Sequence, residues 1–118
     1  MSKRILIVDD AAFLRMQLKK VFVSCGAEVV GEAANGAECL EKYELLKPDL
    51  VTMDITMPDM DGITALKQLK EKHPEAKVVM CSAMSQREKF IESIQAGAFD
   101  FIVKPFNSEK IASILNGI

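Results

Sequence analysis

Three carboxylates, a hydroxyl and an ammonium stand where apolar runs of the sequence stop. Asp9 and Asp10 follow Ile5 to Val8, Asp54 follows Leu50 to Met53, Ser82 follows Val78 to Cys81, and Lys104 with Pro105 follows Phe101 to Val103. Two like charges about 4 Å apart repel by roughly 4 kcal/mol at an effective dielectric near 20, so Asp9, Asp10 and Asp54 brought together require a cation. A set of all-oxygen ligands suits Mg²⁺, a hard ion that keeps several waters and is often completed by a substrate phosphate. With that charge partly neutralised, one carboxylate can attack a phosphoryl donor while metal, hydroxyl and lysine stabilise the oxygens of the group in transfer. Asp54 supplies the nucleophile, Ser82 the hydroxyl and Lys104 the ammonium. The product is an aspartyl phosphate, carrying charge of magnitude about 1.5 to 2 and strong acceptor oxygens.

Bringing these residues together requires a particular set of elements. Short continuous apolar runs separated by helical patterns read as parallel strands buried on both faces, and parallel sheets bind ligands beyond the carboxyl ends of their strands. The pattern predicts strands near residues 4–8, 28–33, 49–53, 77–82 and 99–103, each followed by a helix, a five-fold βα repeat. Helix faces show in Leu14, Leu18 and Val21, in Ile63 and Leu66, in Phe90 and Ile94, and in Ile111, Ile114, Leu115 and Ile118. Asn35 with Glu38 and Ser85 with Glu88 resemble capping boxes, and Asn107-Ser108 can cap the last helix.

At 118 residues the chain fits one domain, with no room for a second. Fifteen basic against 17 acidic residues, a formal net charge of -2, offer no basic stripe along a nucleic-acid backbone, so direct DNA binding is disfavoured. The cysteines Cys25, Cys39 and Cys81 form no CxxC pair and suit reduced thiols. His73 stands alone beside Pro74 and is expected to have no ligand-like companions, which disfavours zinc or copper. The apolar run after Met1-Ser2-Lys3-Arg4 is too short for a signal peptide or a membrane span, so a soluble cytoplasmic protein is expected.

Each residue also has an ordinary reading. Asp10 could serve only as the N-cap of the first helix, Asp54 could start a turn, Ser82 could close a strand, and Lys104-Pro105 could be an exposed turn. Five of the seven methionines, Met53, Met57, Met60, Met80 and Met84, read as gap-filling core and loop packing. Phe101 belongs to the core by default, yet its place near the sheet edge would allow it to swing outward. The coincidence in phase is what favours chemistry: all four polar ends fall on the side where parallel sheets bind ligands.

The stretches from Ile5 to Met16, Asp49 to Pro58 and Asp100 to Phe106 resemble response-regulator receiver domains, in particular the stand-alone chemotaxis regulators, over essentially the whole chain. The resemblance implies one receiver domain over residues 1–118 without an output domain, in the flavodoxin-like (βα)5 fold. Its five-stranded parallel sheet would have the order 2-1-3-4-5, with helices on both faces. It implies Asp54 as phosphoacceptor, Mg²⁺ held by Asp9, Asp10, Asp54 and the backbone carbonyl of Thr56, and Lys104 on the phosphoryl group. Ser82 would be the switch hydroxyl, Ala83 the small residue that leaves room for loop movement, and Pro105 the proline of a cis peptide. At the switch position Phe101 replaces the tyrosine of many relatives and lacks its hydroxyl. Thr56 and Met84 occupy positions that tune dephosphorylation.

The same resemblance implies a monomer that is not an enzyme, although it catalyses its own phosphorylation and dephosphorylation. The histidine kinase CheA would be its donor, the flagellar switch protein FliM its target, and an aspartyl-phosphate phosphatase its off-signal. The fourth helix, fifth strand and fifth helix would form the output face. A phosphorelay intermediate that passes its phosphoryl group to a histidine phosphotransfer protein is the nearest alternative. A Mg²⁺-dependent phosphohydrolase fits less well, because Thr56 stands where the second aspartate of such enzymes would supply the general acid. A flavin-binding role is weaker still, since two aspartates after the first strand would repel a phosphate.

Overall fold

The computed structural model describes residues 2–58, 60–83 and 87–118. Its elements alternate as β1 (Arg4–Val8), α1 (Ala12–Ser24), β2 (Glu28–Ala33), α2 (Gly36–Leu46), β3 (Leu50–Asp54), α3 (Gly62–Lys72), β4 (Val78–Ser82), α4 (Arg87–Gln95), β5 (Asp100–Val103) and α5 (Ser108–Asn116). The strands form one parallel sheet in the order β2-β1-β3-β4-β5, as the resemblance implies. β3 and β4 are buried at every position, which is why their sequences read as largely apolar runs rather than as alternation, with Thr52 the one polar residue inside β3 before its end.

Successive strand side chains point to opposite faces, so each apolar run divides between two cores. Leu6, Val8, Val51, Met53, Val78, Met80 and Phe101 pack with Cys39 and Tyr43 of α2 and with Ile63, Leu66 and Leu69 of α3. Ile5, Ile7, Leu50, Val79, Cys81 and Ile102 pack with Leu18 and Phe22 of α1 and with Ile111 and Ile114 of α5. Met53, Met57 and Met80 are buried and Met60 packs on the first core, which accords with gap-filling; Met84 lies outside the described residues.

Asn35 caps α2 by accepting the Glu38 amide at 2.9 Å, while the Glu38 carboxylate reaches back to the Ala34 amide at 3.1 Å. Asn107 caps α5 through the amides of Glu109 and Lys110. The second expected box, at Ser85, lies outside the described residues. α1 begins differently from the ordinary reading of Asp10: its N-cap is Ala11, and no side chain caps it.

Phe90 and Ile94 do mark a face of a helix, α4, but that face is not in the core. Both are more than 40 % exposed, as is Ile91, and Ser93 is the buried residue of α4. A helical spacing identifies a stripe and not what covers it; α4 lies beside β5, a four-residue edge strand too short to cover the whole stripe. His73 has companions after all, with Glu44 3.6 Å from Nε2, Glu75 3.6 Å from Nδ1 and the Tyr43 ring 4.8 Å away. The carboxylates sit on opposite ring nitrogens and do not converge on one ion.

Candidate functional site

The pleat assigns the polar strand ends to two groups. Asp9 and Asp54 continue the face of Ile5, Ile7 and Leu50, and Lys104 continues the face of Ile102, all on the α1/α5 side. Ser82 continues the face of Met80, and Phe101 lies beside Met80 in register, on the α2/α3 side. The ladder extends past the strand ends to hold these residues. The Asp9 amide donates to the Ala33 carbonyl at 3.0 Å, and the Lys104 amide to the Ser82 carbonyl at 2.7 Å.

In the first group the side chains meet. Lys104 Nζ lies 3.0 Å from Asp54 Oδ1 and 3.1 Å from Asp9 Oδ2. Carboxylate oxygens of Asp9, Asp10 and Asp54 lie within 4.8 Å of one another. Asp9 and Asp54 are buried and Asp10 is exposed, so the cluster opens to solvent along one side. The second Asp9 oxygen accepts the Ala11 amide at 2.9 Å.

Burial raises the Asp54 pKa above the ordinary carboxylate range, and Asp9 and Asp10 push the same way, while the bond to Lys104 pulls against them. For Lys104, burial pulls down, but the bonds and attraction from Asp54 and Asp9 more than offset it, and its pKa is raised. The two shifts look contradictory for one ion pair. They are compatible because one ammonium serves two carboxylates, and Asp54 retains a charge deficit that Lys104 does not fill. Three anionic oxygens 4.8 Å apart or less, one cation and an open side fit a hard divalent ion. At that separation each charge pair repels by about 3–4 kcal/mol at an effective dielectric near 20, which a bound dication would relieve. Neighbouring Cys81 is no rival nucleophile, since burial pushes its thiol up to about 12.

Thr56 lies exposed between β3 and α3, and Ala83 lies exposed directly after β4. The Lys104–Pro105 peptide is cis. Phe101 is buried, with the Phe90 ring set edge-on at 5.6 Å.

Sequence reasoning did not single out three residues that shape the site. Gly62 starts α3 so close to β3 that a Cβ there would lie 2.1 Å from the Asp54 carbonyl oxygen. Its sequence signal was Asp61-Gly62 ahead of an apolar helix, and Asp61 does cap α3, accepting the Thr64 amide at 2.9 Å. Arg15 donates from Nη1 to the Asp9 carbonyl at 2.6 Å and from Nε to Glu32 at 2.9 Å. No spacing rule connects positions 15 and 32, because their contact exists only once β2 lies beside β1.

The sequence pattern of the response regulator receiver domain matches residues 5–116. The chain belongs to the response regulator receiver family. Among individual receivers it is 59% identical over 116 residues to the chemotaxis protein CheY of Bacillus subtilis, covering 98% of this chain and 97% of that one. It is 57% identical over 118 residues to the CheY of Thermotoga maritima, covering 100% and 98%. In three dimensions it is similar to a chain of the CheX-CheY-BeF3-Mg complex of Borrelia burgdorferi, with a TM-score of 0.91 and 38% identity over 98% of this chain and 87% of that one. No helix among the described residues of this receiver is long and apolar enough to cross a membrane.

Proposed function

We propose that this receiver is a phosphorylation-operated switch of bacterial chemotaxis, with Asp54 as phosphoacceptor. The observation that carries the proposal is the convergence of Asp9, Asp10 and Asp54 with Lys104 at the carboxyl edge of the sheet. Mg²⁺ held by Asp9, Asp10, Asp54 and the Thr56 carbonyl would neutralise charge on the acceptor and on the incoming phosphoryl oxygens. An Asp54 oxygen attacks phosphorus, the bond from phosphorus to a phosphohistidine nitrogen breaks, and the imidazole departs with the electron pair. Lys104, already 3.0 Å from Asp54, offers its ammonium to the transferred group. The protein accelerates its own modification and hydrolysis without turning over a separate substrate.

The output rests on the second group of strand ends. Ser82 and Phe101 share a face of adjacent strands, so a Ser82 hydroxyl drawn toward the new phosphoryl oxygens changes the packing next to Phe101. Phe101 lines a groove of about 480 Å³ with Arg87, Phe90, Ile91 and Val103. That groove suits a short amphipathic segment, and its exposed apolar rim favours a protein-binding output over a pure relay. CheA as donor, FliM as target and a separate aspartyl-phosphate phosphatase fit this reading, as does similarity to CheY proteins at more than half identity.

Intact-mass spectrometry after incubation with acetyl phosphate tests the chemistry. One added phosphoryl group is expected with Mg²⁺ and almost none with a chelator, with the added mass mapping to Asp54. An adduct indifferent to Mg²⁺, or placed elsewhere, overturns it. For the output, fluorescence anisotropy with a labelled FliM peptide is expected to show at least about fivefold tighter binding when acetyl phosphate and Mg²⁺ are present, within the usual range of allosteric coupling. Unchanged affinity, together with phosphoryl transfer to a histidine phosphotransfer protein faster than hydrolysis, would assign the relay role instead.

A further inference from the structure

We infer that Arg15, braced by Glu32, is the positioning residue of the acidic pocket, and that it fixes the Asp9–Asp10 peptide so that both carboxylates face the cation. The inference rests on the Mg²⁺-dependent reading above and identifies what builds that site.

Asp9 is anchored through its side chain, one oxygen to the Ala11 amide and the other to Lys104. Asp10 is not: among the described residues no hydrogen bond or ion pair holds its exposed carboxylate. What constrains Asp10 is the peptide plane before it, because the Asp9 carbonyl and the Asp10 amide belong to one rigid unit. Arg15 Nη1 holds that carbonyl at 2.6 Å. The guanidinium is itself fixed by Nε on Glu32 at 2.9 Å, with the Arg15 side chain only 17% exposed. Glu32 stands on β2, and its backbone carbonyl accepts the Lys42 ammonium of α2. One planar fork thus ties the turn after β1 to the neighbouring strand, with its two donors held in a fixed geometry that the rotatable point charge of a lysine does not reproduce.

Charge and position make opposite forecasts here, which gives the test its power. A guanidinium near a cation site repels the cation, so on charge alone removing Arg15 would tighten Mg²⁺ binding. If Arg15 positions the ligands, removing it loosens binding. Groups that orient metal ligands from behind typically change affinity 10- to 100-fold when mutated.

Calorimetric titration of the unphosphorylated chain with Mg²⁺ reads the sign directly. Arg15→Gln is expected to weaken binding about tenfold, the low end of that range. Arg15→Lys should do nearly the same although it keeps the charge, and urea transitions confirm that each variant is folded. Should Arg15→Gln fail to fold, Glu32→Ala, which removes the acceptor that braces Nε, replaces it, measured in about 1 M salt, where the Debye length is about 3 Å and the lost charge matters little; weaker binding is again expected. Wild-type or tighter binding by the folded variants overturns the inference and leaves the Mg²⁺ reading intact. Failure of the wild-type chain to bind Mg²⁺ overturns both.

Discussion

Asp54→Asn is expected to abolish the phosphoryl adduct and, in Mg²⁺-free buffer at pH 7, to make the protein more stable than wild type. The first effect follows from chemistry: an amide oxygen at position 54 is no nucleophile toward acetyl phosphate, and the other two carboxylates, Asp9 and Asp10, extend from a different strand end. The second follows from the direction of the Asp54 pKa. Burial, reinforced by Asp9 and Asp10, raises it above the value the unfolded chain would show, despite the bond from Lys104. A carboxylic acid whose folded pKa is the higher one binds its proton more tightly in the folded state, so ionising it opposes folding. The penalty is absent below the unfolded pKa near 3.9, grows as pH rises, and is complete above the folded pKa. Asparagine removes it and leaves Lys104 its partner in Asp9. The expected gain is about 0.5–2 kcal/mol at pH 7, the usual yield of relieving one functional strain. Urea denaturation across pH should show the difference closing toward pH 4, and closing also as Mg²⁺ is added, because an ion bound only by the folded wild type stabilises it by mass action. A mutant less stable than wild type at pH 7 without Mg²⁺ would mean that the bond to Lys104 outweighs burial and repulsion.

What the amino-acid order disclosed, and what it hid, divides along the range of the interactions. The central strands were legible because a doubly buried strand is largely apolar, and Asp9, Asp54, Ser82 and Lys104 were legible because each ends such a run. Even their division was available: period-two alternation from Ile7, Leu50, Met80 and Ile102 separates Asp9, Asp54 and Lys104 from Ser82 and Phe101, although the sequence reading joined all of them at a single edge. The face of α4 was not legible. Phe90, Ile91 and Ile94 carry the stripe of a buried helix, and only the three-dimensional placement beside β5 leaves that stripe exposed. Arg15 and Glu32 were hidden for the opposite reason. Charged residues on a helix and a strand edge look like solvated surface until the sheet order brings β2 against β1 and the guanidinium against the Asp9 carbonyl.

Gly62→Ala is expected to cost about 3 kcal/mol of stability and to slow phosphorylation of Asp54 about a hundredfold, although it touches no group that takes part in the chemistry. A methyl group at position 62 would lie 2.1 Å from the Asp54 carbonyl oxygen and 2.9 Å from both the Asp54 carbonyl carbon and the Ile55 Cα. All three are backbone atoms and cannot swing aside as a side chain would. The alternatives are both costly. α3 can withdraw, which stretches the 2.7 Å bond from the Gly62 amide to the Ile55 carbonyl and unseats Ile63, Leu66 and Leu69 from the core. Otherwise the end of β3 can withdraw, which carries Asp54 away from Lys104 and Asp9. Overpacking of this kind costs about 1–3 kcal/mol, and contact with backbone places it at the upper end. Alanine's better helix propensity offsets at most about 1 kcal/mol. A displacement of about 1 Å at the nucleophile is enough for a loss near 10²-fold in rate. Gly26 provides the contrast: its φ of 89° makes a side chain strained, yet nothing lies within 4 Å of its Cβ position, so Gly26→Ala should lower stability and leave the phosphorylation rate unchanged. Urea midpoints paired with single-turnover rates from acetyl phosphate separate the two glycines. A stable Gly62→Ala variant modified at the wild-type rate would show that the junction of β3 and α3 yields at no cost, and that the close approach does not hold Asp54 in place.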